Sequence, residues 1–272
     1  MSLTKRPLEE IMYYYNNTGY TLDENEQIIG LNLSYLKTKQ LPASLSKLNN
    51  LRELLISNTQ CTDYTILKEL TQLTALAIRF SKIDDFSFLH GLPHLTHLDL
   101  QSDQVADISF LEGMTNLTEL DLSDNAVTDY TYLARLPNLT RLNLSSNRIR
   151  DISFLAGMTG LTQLNLNNNQ IIDISVLRGL RHLKKLHLMA NRIVDISPLQ
   201  GLTSLTGLNL IDNRVKELPE GMVDLGMEID VTMRIGLVQR IDLAGNPLEK
   251  PPLEIIKKGK AAIRAYFANP PA

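Results

Sequence analysis

Apolar residues recur along most of the chain with a fixed period of 22 residues. The unit from residue 139 to 160 shows the pattern most clearly and reads LTRLNLSSNRIRDISFLAGMTG. Similarity at a fixed period indicates a stack of small structural units, each of which contacts only its neighbours. Seven consecutive units between residues 51 and 204 begin with a leucine, and these are Leu51, Leu73, Leu95, Leu117, Leu139, Leu161 and Leu183.

The first half of each unit alternates apolar and polar residues, which predicts a short β-strand. Its leucines would point into the stack, and the intervening residues would form one continuous outer face. Because so short a strand is not stable alone, neighbouring units must pair in a sheet. We therefore predict an α/β fold, a curved right-handed solenoid of about ten repeats, with a parallel sheet on the concave side and short helical turns on the convex side.

Two polar columns accompany the repeat. The ninth position of the later units is Asn, whose amide can both donate and accept hydrogen bonds in a buried turn. The earliest units carry Leu36, Thr59, Ser81 and Asp103 there, so we expect that end to be less regular and less stable. In the second half of the unit an Asp precedes Ser or Thr by two residues, and we expect the hydroxyl to N-cap a helical turn. The ninth-position asparagines are Asn125, Asn147, Asn169, Asn191, Asn213 and Asn246.

The two ends and one internal stretch depart from the repeat. Residues 1–27 predict an N-terminal helical cap, because PLEEIMYYY has proline and two glutamates suited to a first helical turn. The repeats occupy residues 28–250 and contain an irregular insertion at about 214–237. Alternate apolar residues from 227 to 237 predict an extra strand or hairpin beside the sheet. Residues 251–272 predict a C-terminal amphipathic helical cap that ends as a linker.

The repeats resemble the leucine-rich repeats of the short bacterial class over about residues 28–250. The stretch ELPEGMVDLGMEIDV, followed by GNPLEKPPLEIIKKGKAAIRAYF, resembles the junction where bacterial Roco (Roc-COR) proteins pass from their repeats to a GTPase domain. This resemblance implies the recognition domain of a larger GTPase protein. The sequence contains no Roc or COR domain, and residues 229–243 do not match the family closely.

Composition gives no sign of a nucleic-acid or membrane partner. The net charge is −3 and the two signs of charge are interspersed along the chain. The N-terminus has no apolar signal region, and no run reaches the roughly 18 apolar residues of a membrane span. The single cysteine, Cys61, allows no internal disulfide. We therefore expect a cytoplasmic protein.

The sequence does not predict an enzyme, a cofactor or a metal. It contains no G-x-x-x-x-G-K-[ST] motif, so we expect this chain to bind no nucleotide. No histidine pair is joined by cysteine at zinc spacing. Cys61 lies in a C-x-D triplet also found in bacterial ubiquitin ligases with leucine-rich repeats, but it occupies a core position. Two alternatives stay open: a fragment of an enzyme (GTPase or ubiquitin ligase) whose catalytic domain lies elsewhere, and a secreted adhesin of the internalin type.

The expected function is non-catalytic protein binding on the concave strand face. Exposed apolar and aromatic side chains and arginine are typical anchors of such an interface. Leu55, Phe80, Met189 and Ile211 are notable, because Ser, Asn, Thr and Asp are the usual residues of the face. The candidate site residues are Tyr35, Leu55, Arg79, Phe80, His97, Asp99, Glu119, Asp121, Arg141, His187, Met189 and Ile211.

Overall fold

The chain divides into two compact units, Met1–Leu139 and Thr140–Ala272. A computed structural model describes residues 19–232 and 239–269 of these units. In each unit every repeat contributes one short strand and one short helical turn. This confirms the predicted fold class, an open parallel sheet built from repeats.

The first unit contains strands β1 to β6, which lie in the sheet in chain order. The strands from β2 onward are parallel, and corresponding leucines of successive repeats face one another, as in the pairing of Leu54 with Leu76. The strands are β1 Tyr20–Leu22, β2 Ile28–Asn32, β3 Glu53–Ser57, β4 Ala75–Arg79, β5 His97–Asp99 and β6 Glu119–Asp121. The 3₁₀ helices are Ala43–Lys47, Thr65–Glu69, Ser87–Gly91, Ser109–Leu111 and Thr131–Arg135.

The second unit contains strands β7 to β12, in the order β7-β8-β9-β10-β12-β11. The strands are β7 Arg141–Asn143, β8 Gln163–Asn165, β9 Lys185–His187, β10 Gly207–Asn209, β11 Glu228–Asp230 and β12 Arg240–Asp242. The 3₁₀ helices are Ser153–Leu155, Ser175–Gly179, Ser197–Leu199 and Glu220–Leu225. Two α-helices follow, α1 Leu253–Ile256 and α2 Lys260–Ala268.

The leucines that open each repeat form the core of both units. Leu73, Leu117, Leu161 and Leu183 have no measurable exposure. Full burial of one such side chain contributes about 1.5–3 kcal/mol relative to an exposed one. The core is therefore a column of like side chains, and each repeat completes the burial of the one before it.

The ninth-position asparagines form the predicted ladder. In the second unit the Asn169 amide donates to the carbonyl oxygens of Leu144 and Leu166, both at 3.0 Å. Its Oδ1 accepts the backbone N–H groups of Asn147 (3.1 Å) and Ile149 (2.9 Å). A single buried side chain thus satisfies backbone groups of two successive repeats, which would otherwise be buried without hydrogen bonds.

The expected hydroxyl N-caps are wrong. The 3₁₀ helix of one repeat begins at Ser153, and its N-cap residue Ile152 makes no side-chain capping bond. The Asp151 carboxylate instead closes the turn, because it accepts the N–H (2.8 Å) and the hydroxyl (3.0 Å) of Ser153. The same turn lowers the pKa of Asp173, whose carboxylate accepts the N–H and the hydroxyl of Ser175.

The described part of the predicted N-terminal helical cap, residues 19–27, is not helical. It contains strand β1, which pairs antiparallel with β2 and so covers the backbone edge of the first repeat. Residues 1–18 of that prediction lie outside the described residues.

The insertion contains an extra strand, as predicted. β11 lies last in the sheet order and pairs parallel with β12, which is inserted between β10 and β11. Residues 233–237 of the predicted strand lie outside the described residues.

The predicted C-terminal helix is divided into α1 and α2. The break falls at Gly259, whose φ of 87° is accessible to glycine at little cost. Ile256 and Ile263 are buried, one in each helix. Arg264 of α2 pairs with Asp224 at 2.7 Å, which fixes α2 beside the helix Glu220–Leu225.

Replacing Asn169 by Ala should lower the free energy of unfolding by about 2–4 kcal/mol, because buried backbone groups lose hydrogen bonds that cost about 1–3 kcal/mol each when left unmade. Urea unfolding followed by circular dichroism measures the change. The matched control is Asn116→Ala, which removes an exposed amide bonded only to the Pro93 carbonyl. Equal effects of the two substitutions would show that the ladder is not structural.

Candidate functional site: the strand face

We define the strand face as the side chains on either side of the inward leucine of each strand, with the turn residues that follow the strand. In the first unit much of this face is buried. Leu55 is 1% exposed, Ala75 4% and Ala77 2%. The expectation that Leu55 is an exposed apolar residue is therefore wrong. In the second unit the corresponding residues are half-buried, and Lys185 is exposed.

A buried ion pair lies at the centre of the first unit's strand face. Arg79 Nε donates to Asp99 Oδ2 at 2.5 Å, and a guanidinium Nη atom contacts the same oxygen. Asp99 Oδ1 accepts the N–H of Gln101 at 3.0 Å. Burial raises the pKa of Asp99 to about 7, the nearby Asp121 adds to this rise, and Arg79 opposes it. Asp99, predicted as a surface residue, is thus fully buried.

His97 and Glu119 form a second buried pair on this face. The His97 Nε2 atom lies 2.8 Å from Glu119 Oε1, and its Nδ1 atom lies 2.7 Å from the Thr96 hydroxyl. His97 is 5% exposed and Glu119 is 4% exposed. These two residues join neighbouring strands, and the sequence-based expectation that they face solvent is wrong.

Two exposed aromatic residues lie in the turns that follow the strands of the first unit. Tyr35 is 73% exposed and Phe80 is 51% exposed. Both have a left-handed backbone, with φ of 65° and 52°. A left-handed backbone costs most residues about 1–2 kcal/mol, and Asn or Asp tolerates it best. The same turn position is left-handed in the other repeats, where it holds small or polar residues such as Asn58, Ser102 and Asp124. Tyr35 and Phe80 therefore expose apolar surface at positions where a small polar residue would be more favourable for stability.

The second unit brings fewer of the candidate residues to the surface. Arg141, His187 and Met189 are half-buried, and the Met189 N–H donates to Asn167 Oδ1 at 2.7 Å. Ile211 is 8% exposed, so its expected exposure is wrong. In the first unit, Asp121 is half-buried, and its carboxylate closes a turn by accepting the N–H and hydroxyl of Ser123.

Sequence reasoning missed a charged group at the last strands of the second unit. Arg240 Nε lies 2.5 Å from Asp242, and a guanidinium Nη atom lies 3.5 Å from Asp230. Burial raises the pKa of Asp242, and Arg240 opposes the rise. The sequence does contain a pattern that could have indicated this group. Arg240 and Asp242 flank the apolar Ile241, in the same alternation that places residues of the earlier strands on the strand face.

Within residues 19–232 and 239–269 no three His, Cys, Asp or Glu side chains are arranged to hold a metal ion. Cys61 is buried, and its thiol lies 3.3 Å from the Thr38 carbonyl, in keeping with a core position. No helix in the described part of the chain is long and apolar enough to cross a membrane.

Comparisons with known proteins agree with this geometry. A family model described as leucine-rich repeats (2 copies) matches residues 93–135, 115–157 and 137–179. A search of curated proteins found no match. Among solved structures, an internalin (inlC2) from Listeria monocytogenes is 37% identical with a TM-score of 0.60, over 65% of this chain and 78% of that chain.

Two further solved structures share the fold. A second internalin (inlF) from Listeria monocytogenes is 29% identical with a TM-score of 0.67, over 77% of this chain. This chain spans only 58% of that internalin's length. A leucine-rich repeat protein of Leptospira interrogans is 21% identical with a TM-score of 0.67, over 84% of this chain and 57% of that one. The chain therefore belongs to the leucine-rich repeat proteins.

Replacing Arg79 by Ala should destabilise the protein by about 3–5 kcal/mol at pH 8, because it leaves the Asp99 carboxylate buried without its cation. The loss should be smaller at pH 5, where Asp99 can take up a proton. Urea unfolding at the two pH values measures it. The control is Lys82→Ala, which removes an exposed partner of Asp84. It should change the free energy of unfolding by no more than about 0.5 kcal/mol. An Arg79→Ala effect as small as that control would contradict the structural role.

Proposed function

We propose that the protein is a non-catalytic binding module that captures a protein partner through the strand face and the turns at its margin. Stacked repeats present an extended, preformed surface, so that binding requires little ordering of the module. In this proposal the buried pairs of the first unit hold the face rigid. The contacts with the partner come from exposed residues, with Tyr35 and Phe80 as the anchors.

The observation that carries the proposal is the exposure of two aromatic side chains, Tyr35 at 73% and Phe80 at 51%. They lie at a left-handed turn position that recurs in every repeat and elsewhere holds a small or polar residue such as Asn58 or Ser102. Exposed apolar side chains grouped on a surface are typical of binding sites. Aromatic side chains also supply a large share of the binding energy in protein interfaces. Arg79 is not an anchor in this proposal, because its guanidinium already pairs with Asp99.

The likeness to the two Listeria internalins favours a second candidate, an adhesin of the internalin type. The finer version of the first candidate, a recognition domain of a Roco GTPase in the cytoplasm, is supported by the resemblance of residues 217–231 and 245–267 to the junction in Roco proteins. Cell fractionation with an antibody to the chain separates the two. Recovery outside the cell favours the adhesin, and recovery in the cytoplasm favours the Roco-type module.

The double variant Tyr35→Asn, Phe80→Asn should lose partner capture while keeping its stability. Asn suits a left-handed backbone, so the free energy of unfolding should stay constant or rise by up to about 1 kcal/mol. Loss of the aromatic anchors should lower affinity by about 2 kcal/mol, roughly 30-fold. Crosslinking capture from a lysate of the source organism, quantified by mass spectrometry, identifies the partner, and titration of that partner gives the affinity.

The matched control is Ile172→Asn, Val194→Asn. These side chains are 59% and 48% exposed and lie outside the strand face. The two substitutions remove a similar amount of exposed apolar surface, and capture of the partner should be unchanged. If the control lowers capture as much as the aromatic variant, or if the aromatic variant binds normally, the site is not where we propose.

A further inference from the structure

One position of the ladder holds an acid in place of the amide. Asp103 occupies the ninth position of its repeat and is 1% exposed. Its Oδ1 atom accepts the N–H of Ser81, in the preceding repeat, at 2.6 Å. Asn125 accepts the N–H of Asp103 in the same way, at 3.2 Å. The Asp103 Oδ1 atom therefore accepts the same kind of backbone hydrogen bond as an asparagine Oδ1 in the ladder.

The other oxygen of Asp103 lies where an asparagine has its NH₂ group. The Asn125 amide donates to the carbonyls of Leu100 (2.8 Å) and Ser123 (3.1 Å), which lie 25 and two residues before it. The Asp103 Oδ2 atom is buried, and among the described residues no hydrogen-bond donor reaches it. By repeat equivalence this atom faces the carbonyls of Ile78 and Gln101. An ionised oxygen would be repelled there, whereas a protonated one would donate.

The charged and titratable groups around Asp103 do not compensate an ionised form. From β4, Arg79 is attractive, but its ion pair is with Asp99, and the Asp99 carboxylate at the end of β5 repels. Tyr64 faces the same turn, where its hydroxyl bonds to Thr59. Burial, with a contribution from Asp99, raises the pKa of Asp103 to about 8, and the bond from the Ser81 N–H opposes the rise.

We propose that Asp103 is a neutral carboxylic acid that replaces a ladder asparagine, and that its ionisation is a pH-sensitive switch in the turn that presents Phe80. The Ser81 N–H that Asp103 holds belongs to the residue directly after Phe80. Loss of the proton places a negative charge against the carbonyls that close this turn, and the left-handed conformation of Phe80 loses its support. The inference concerns the turn itself and holds whether or not Phe80 contacts a partner.

The direction of the pH dependence follows from linkage. The pKa of Asp103 is higher in the folded protein than the ordinary value of 3.8. Its contribution to stability is therefore complete below pH 4 and is lost as the pH rises towards 8. Since one proton is involved, the unfolding constant of the wild type should rise by up to tenfold per pH unit in this window, relative to a variant without the acid.

The decisive comparison is wild type against Asp103→Asn, by urea unfolding from pH 5 to pH 9. The variant keeps a hydrogen-bond donor at the Oδ2 position, and its stability relative to wild type should increase steadily up to about pH 8. Asn125→Asp is the matched control, since it places an acid at the half-buried equivalent position one repeat later and should introduce a weaker dependence of the same sign. Parallel pH curves for wild type and Asp103→Asn would overturn the proposal.

A direct measurement covers the case in which the variants do not fold. The carboxyl carbon of Asp103 in the wild type, observed by ¹³C NMR, should have the shift of a protonated acid at pH 6 and move at a midpoint near pH 8. The Phe80 ring signals should move with the same midpoint. An ionised Asp103 at pH 6, or Phe80 signals independent of the titration, would refute the switch.

Discussion

The fold depends on one interaction, the hydrogen bonding of a ninth-position side chain to the backbone of the preceding repeat. The strands are mostly three residues long, so the sheet alone leaves many backbone groups of the turns without partners. Asn169 and its equivalents satisfy those groups across the boundary between repeats. This arrangement lets a repeat of 22 residues exclude water from a column of leucines without any long helix.

The same constraint explains how the first unit differs from the second. Where the ladder lacks asparagine, Thr59, Ser81 and Tyr64 form a hydroxyl network in its place. β3 and β4 have five residues each, so they are longer than the three-residue strands of the later repeats. The prediction of lower stability there stays a prediction. The strand face of the first unit also contains buried charged pairs. These pairs make the face part of the packed interior as well as part of the surface.

Most structural features that recur in every repeat were predicted correctly from the sequence, whereas most features of single repeats were not. The leucine column, the parallel sheet and the asparagine ladder follow from residues that recur at one period, so many positions support each inference. The exposure of Leu55 and Ile211 was predicted wrongly, because alternation identifies which side of a strand a residue faces but not how deeply that side is covered. Phe80 showed only as an apolar residue in a polar column. Its left-handed backbone needed three-dimensional coordinates.

Asp103 shows a related limit of sequence patterns. A pattern that treats Asp as a poor substitute for Asn predicts a less regular and less stable turn there. In the structure the Asp103 Oδ1 atom takes the place of an asparagine Oδ1. We infer that the acid keeps its proton there, because burial and the neighbouring Asp99 raise its pKa. The identity of a residue and its protonation state are separate facts, and only the first is written in the sequence.

The strand order at the end of the second unit has a consequence for how such a chain can change length. Up to β10 a duplication of 22 residues would place every strand beside a copy of its own neighbour and preserve the ladder. Beyond β10 this is no longer so, because β12 is inserted between β10 and β11 and the chain reaches the sheet edge before it ends. A duplication or deletion of one repeat before β10 would therefore keep the ladder in register, whereas a duplication that included β11 or β12 would disrupt the strand order.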